Sequence, residues 1–282
     1  MISWRLRRTM VDKVTFAAVA IASIALLFVG AHVILVALVE GLPVMAEKGL
    51  RLFIESPGLP GGGIGGFGPT LIGTIVMVLT ASLAGAAIGV PTGILMNEYS
   101  SWWLSKIARE ALQLIAEIPS IVVGLVVFVL VVLPMGRPSA LAGALSLCIT
   151  ALPYIAAQTR ESLAAIPMSY REAAFSLGLP KWKTVLRIIV PMNLRGIATA
   201  VLLGTMRALG ETAPVLFTAG AAFHAFYGLD RPSSTLSLLI FFFAQTPYEN
   251  WKRLAWAAVL QLIVLSMVLA FAVRKLSGEV KL

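Results

Sequence analysis

Six apolar runs, each about as long as a bilayer is thick, constrain what this 282-residue chain can fold into. They lie at about 14–39, 70–96, 111–133, 140–158, 196–219 and 254–273. Roughly 20 apolar residues in a helix cross the hydrocarbon core. An isolated strand in lipid would leave its backbone donors and acceptors unpaired, so each run is predicted to be helical. A seventh stretch, Leu236–Ala244, is too short to cross alone. It reads as a re-entrant or interfacial element, or as an extension of a tilted helix. The chain is 59% hydrophobic and 12% charged, with a mean hydropathy of +0.93. A soluble domain of this size cannot hide that much apolar surface. The predicted class is an all-α membrane protein with six transmembrane helices in one domain, 1–282.

A net charge of +9 raises the possibility of a nucleic-acid partner. The cations flank apolar runs instead of forming dense basic tracts, so lipid, not nucleic acid, is the expected neighbour. With the N-terminus inside, Arg5, Arg7, Arg8, Lys13, Lys106, Arg109, Arg160, Arg171, Lys181, Lys183, Arg187, Arg195, Arg274, Lys275 and Lys281 fall on the cytoplasmic side. That is 15 against 6 outside, with Arg207 left in a membrane segment. The positive-inside rule therefore predicts a multi-pass protein of the cell membrane with both termini cytoplasmic. The run after Arg8 is too long for a signal-peptide core and is expected to stay as the first span. Cys148 is the single cysteine and cannot form an intrachain disulfide.

The outer loop 57–69 contains Gly61-Gly62-Gly63-Ile64-Gly65-Gly66. No Gly-Lys-Ser/Thr follows, so a flexible turn is expected there and not a phosphate cradle. Small residues recur every fourth position at Ala81, Gly85, Gly89 and Gly93, and again at Gly196, Ala200, Gly204 and Ala208. Such ridges let helix backbones approach closely, either within the chain or across a paired or moving interface. Two lone histidines, His32 and His224, and no clustered ligands give no metal site.

The segment of about 166–191 is the longest polar stretch on the inner side. It carries Glu172-Ala173-Ala174-Phe175-Ser176-Leu177-Gly178 and, ten residues later, Ile188-Ile189-Val190-Pro191. Ser169 and Glu172 have capping-box spacing, which predicts a short helix starting there. Gly178 is placed to end it in a left-handed turn, and Pro180 to open a second helix. Two short helices around a glycine hinge suit a protein-docking knob. An amphipathic element lying on anionic lipid is the alternative reading.

Within the fifth run stands Arg207-Ala208-Leu209-Gly210-Glu211-Thr212-Ala213-Pro214. Arg207 falls about 16 Å along the run, near mid-bilayer. A charge there costs about 2.5–3.5 kcal/mol on insertion scales, which something must offset. Glu211 is one helical turn on, so a structural ion pair is one reading. Arg before Glu is the weaker order for such a pair, and a guanidinium offers paired planar donors to an oxyanion. A polar pathway is therefore the other reading.

The spacing of Glu172, Ala173, Ala174, Gly178 and Pro191 resembles the coupling segment of ABC importer permeases, with Val190 where leucine is more usual. The string from Arg207 to Pro214 resembles the A-type permease subunits of Pst-type phosphate importers. So do the glycine loop, Asn97-Glu98-Tyr99, and Glu117 through Leu125. The resemblance implies a six-helix permease fold with a cytoplasmic coupling-helix insert. Its function would be import of inorganic phosphate into the cytoplasm. Glu172, Ala173, Ala174 and Gly178 would meet an ATP-binding subunit, present in two copies. Arg207 and Glu211 would lie on the phosphate pathway. The other implied partners are a second, C-type permease subunit and an extracytoplasmic phosphate-binding protein. The chain has no Walker A sequence, so it is expected to bind no cofactor itself and to be no enzyme, its partners using the ATP. The rivals are a permease for another oxyanion, a phosphonate or an amino acid, and an ion-coupled secondary transporter, which would be expected to show an inverted repeat.

Overall fold

The computed structural model describes residues 2–277, with side chains described over 11–276. The side chains of Arg5, Arg7, Arg8 and Lys281, counted above as cytoplasmic, lie outside that range. The helices are α1 (Ile2–Lys48), α2 (Gly68–Glu98), α3 (Trp103–Glu117), α4 (Ser120–Met135), α5 (Ala140–Ala164), α6 (Met168–Ser176), α7 (Lys181–Met192), α8 (Leu194–Leu209), α9 (Ala213–Thr218), α10 (Leu236–Ala244) and α11 (Glu249–Ser277).

Four helices, α1, α2, α5 and α11, are long and apolar enough to cross a membrane unaided. The two remaining predicted spans are broken. The third was expected as one helix over 111–133. Instead its first residues belong to α3, and the chain turns by 104° into α4. Pro119 is the cause: it disfavours helical geometry at the residue before it, and Ile118 is extended at ψ 130°. The fifth was expected over 196–219. It ends at Leu209, and α9 begins only at Ala213, with Pro214 near its start. A second bend, of 72°, separates α7 from α8. Both α4 and α7 relax into a π turn just before Pro134 and Pro191, whose missing N–H disturbs the ladder.

The core is built on α2 and α5. Met77 and Ala81 pack with Leu147, Ala151 and Ile155, and Ala208, Leu209, Val215 and Leu238 close the cluster. The small-residue ridges serve this packing. A Cβ added at Gly89 would stand 2.9 Å from Ile155, and at Gly204 only 2.3 Å. Both ridges thus press on one isoleucine of α5, within the chain. A second cluster joins Val44, Phe67, Leu236, Phe243 and Leu254 at the opposite end. There α10 is a nine-residue helix, buried over its first turn and exposed at Phe241 and Phe242, capped by the Thr235 hydroxyl, which accepts from Leu238 N–H. It is too short to span.

The glycine loop is a fixed structure. Gly61 and Gly65 adopt positive φ, and Asn250 accepts from Gly61 N–H while donating to the carbonyls of Leu59 and Gly63. Trp251 donates to Gly58 O. The loop expected to be flexible is therefore stapled onto α11. By contrast, the large apolar side chains of α1 from Val11 through Leu35 are all exposed, by 48% to 77%, and are free to meet lipid or another subunit.

Candidate functional site

Two constellations carry the residues singled out above. The first is the knob formed by α6 and α7. The predicted capping box is absent: α6 starts at Met168 behind Pro167, which puts Ser169 inside the first turn, too late to cap. The expected glycine turn is present. Gly178 has φ +76°, its N–H reaches Phe175 O, and Leu179 N–H reaches Ala174 O, the two bonds of a Schellman ending. Glu172, Ala173 and Gly178 are exposed, as are Leu177, Trp182 and Leu186 beside them. Ala174 is not: it is 2% exposed, covered by the protein itself.

What holds the knob was missed in the sequence. Arg171, the neighbour of Glu172, turns inward and is buried. Its Nε and Nη2 donate to the two carboxylate oxygens of Glu98 at 3.1 and 2.6 Å. Nη1 and Nη2 also donate to Ile166 O and Leu163 O at 3.0 and 3.2 Å, at and just past the end of α5, where Leu163 O accepts from Ile166 N–H as well. One guanidinium thus ties α6 to the last residue of α2 and to the end of α5. Lys181 adds a second tie, standing 4.7 Å from the centre of the Tyr99 ring. Glu98 and Tyr99 had stood out only as part of a resemblance. Opposite charges 73 residues apart leave no periodic signal.

The second constellation is the α8–α9 elbow. Arg207 occupies the last turn of α8 and pairs with Glu211 across the helix end. The two side chains differ in exposure, 41% for Arg207 against 6% for Glu211. The guanidinium also lies 5.5 Å from the ring centre of Tyr154 on α5. The elbow is built, not loose. Ser237 of α10 donates to Glu211 O at 2.8 Å, and Pro214 sits so close to Gly124 of α4 that a Cβ there would meet Pro214 Cα at 2.8 Å. Glu211 is thus buried with its backbone held by Ser237, while Arg207 stands two-fifths exposed between Glu211 and the Tyr154 ring. The expectation of one continuous helical face linking the pair gives way to a contact across a break. Among the described residues no group of three or more metal-ligating side chains occurs.

Residues 89–281 match the family described as binding-protein-dependent transport system inner membrane component. The chain is 33% identical over 253 residues to the "Probable phosphate transport system permease protein PstA" of Methanocaldococcus jannaschii, covering 89% of this chain and 88% of that one. It is 35% identical over 233 residues to the phosphate transport system permease protein PstA of Yersinia pestis, covering 82% and 79%. Among solved structures, the inward-facing MetNI methionine ABC transporter superposes with a TM-score of 0.62 at 19% identity, covering 74% of this chain and 94% of that one. An amino acid ABC transporter gives 0.53 at 21%, covering 73% and 92%. At those identities the superpositions speak for the fold.

Proposed function

The chain belongs to the binding-protein-dependent transport system inner membrane components, as a phosphate-importer permease of the PstA kind, and from that premise we propose how its geometry carries phosphate inward. It is a multi-pass membrane subunit, not itself an enzyme, and as an ABC permease it works with an ATP-binding partner. The finer reading has two copies of that partner, a C-type permease beside this chain and an extracytoplasmic phosphate-binding protein. Both termini and the α6–α7 knob then face the cytoplasm, in keeping with the bias of Lys and Arg.

In this reading the ATP-binding subunit receives Glu172, Ala173 and Gly178 with the apolar side chains around them, while Ala174 supports them from beneath. Closure of the ATP-binding pair pulls the knob. The buried Arg171–Glu98 joint carries that pull to α2 and, through the carbonyls of Leu163 and Ile166, to α5. Since α5 also carries Tyr154, the movement reaches the surroundings of Arg207.

Arg207 supports the oxyanion in passage. The observation that carries this is the asymmetry of the pair: the carboxylate is buried, whereas the guanidinium is two-fifths exposed in a membrane segment. A carboxylate on one side of the guanidinium offsets the cost of its charge and weakens its hold on an anion, which suits transit better than tight binding. Arg207→Gln in the assembled transporter tests it. Phosphate uptake is expected to fall by at least about a hundredfold, roughly 2.7 kcal/mol, with subunit assembly retained. Normal uptake would leave Arg207 a structural ion pair.

A further inference from the structure

A cavity of about 300 Å³ opens between the end of α2, α3 and the second half of α5. Its walls are mostly apolar, with Met96, Leu112 and Pro153 among them, and two arginines, Arg109 and Arg160, belong to the lining. Neither takes part in an ion pair among the described residues. The nearby carboxylates Glu117 and Glu161 meet amides of the cavity lining and not the two arginines. Gln113 donates to Glu117 at 3.0 Å, and Gln158 donates to Glu161 at 3.1 Å. Two like charges beside apolar walls repel each other and focus a positive potential in the space between them, which an anion relieves. Paired guanidiniums suit the oxygens of a phosphate group in particular. The cavity is also next to the elbow, because Tyr154 lines it and carries Arg207 on its ring. Arg160 is four residues from the end of α5, where the chain leads into the knob.

We propose that this cavity is a binding site for a phosphate group, held by Arg109 and Arg160 between the Arg207 elbow and the knob side of the membrane. Two sources share that chemistry: inorganic phosphate leaving Arg207, and the headgroup of an anionic phospholipid at the membrane boundary. The first source rests on the phosphate-permease reading, and the second does not.

The test uses the assembled, nucleotide-free transporter in nanodiscs. In phosphatidylcholine alone, phosphorus NMR reads the line broadening of added inorganic phosphate. In mixed phosphatidylcholine and phosphatidylglycerol, native mass spectrometry reads retained phosphatidylglycerol. For inorganic phosphate, Arg109→Gln with Arg160→Gln should weaken binding by at least about tenfold. Arg207→Gln should keep that binding, and the double lysine variant should keep part of it. For the headgroup, the same glutamine pair should release the retained phosphatidylglycerol. Should the double variant not assemble, each single variant is read in the same way. Glutamine variants that match the wild type in both arms would overturn the site. Loss of ATP-driven phosphate uptake by the wild type, with the cavity signal intact, would instead overturn the import reading and leave the site standing.

Discussion

Arg171 and Glu98 illustrate how much a single buried contact decides. Their side chains are 10% and 4% exposed, and the guanidinium makes four hydrogen bonds, two to Glu98 of α2 and two to the carbonyls of Leu163 and Ile166 at the end of α5. Removing one member strands the other in a low-dielectric site, at a cost of about 3–5 kcal/mol. Arg171→Gln is therefore expected to lower the thermal stability of the permease. It should also leave residual ATP hydrolysis poorly coupled to uptake, and Arg171→Lys should restore part of the coupling because it keeps the charge but not the fork. The measurement is the ratio of phosphate moved to ATP hydrolysed; an unchanged ratio in stable Arg171→Gln protein would remove the joint from the mechanism. At this scale the sequence was legible where chemistry is local. Arg207 with Glu211, four residues apart, could be read directly. Arg171 with Glu98 could not, since only the packing of α2 against α5 brings the two together.

Among the elements, the long spans were legible and the broken ones were not. Hydropathy counts apolar residues without regard to backbone continuity, so it merged the start of α4 with the end of α3 across Pro119, and α8 with α9 across Gly210–Thr212. The same blindness hid the asymmetry of the Arg207 pair, which exists because the helix stops between its members. Gly178 was legible for the opposite reason: a left-handed helix ending is a local demand that glycine meets. Space is no obstacle there, as an added Cβ would meet nothing within 4 Å. Conformation alone should then govern substitution. Gly178→Asn is expected to keep ATPase docking, and Gly178→Val to weaken it, at a cost of about 1–2 kcal/mol in the turn. Co-purification of the ATP-binding subunit checks this. Equal retention by both variants would show that the turn does not shape the docking surface.

On the scale of the molecule, one end of the chain is closed and the other is left to its surroundings. The stapled glycine loop, α10 and the Arg253–Glu47 pair knit the end that the charge rule places outside. The apolar flank of α1 and the outer face of the knob stay exposed among the described residues, as befits a subunit of a larger assembly. Sidedness is open to direct measurement. With the buried Cys148 replaced by alanine, a cysteine at Leu59 should react with an impermeant thiol reagent from outside intact cells, and one at Leu177 should react only after permeabilisation. The reverse pattern would invert the topology. The most direct test of the whole account is uptake of labelled phosphate into vesicles carrying this chain with the proposed ATP-binding subunit, second permease and binding protein. The account predicts uptake that requires ATP and is not competed by sulfate or molybdate. Transport of a different anion, or phosphate entry indifferent to ATP with all partners assembled, would contradict it.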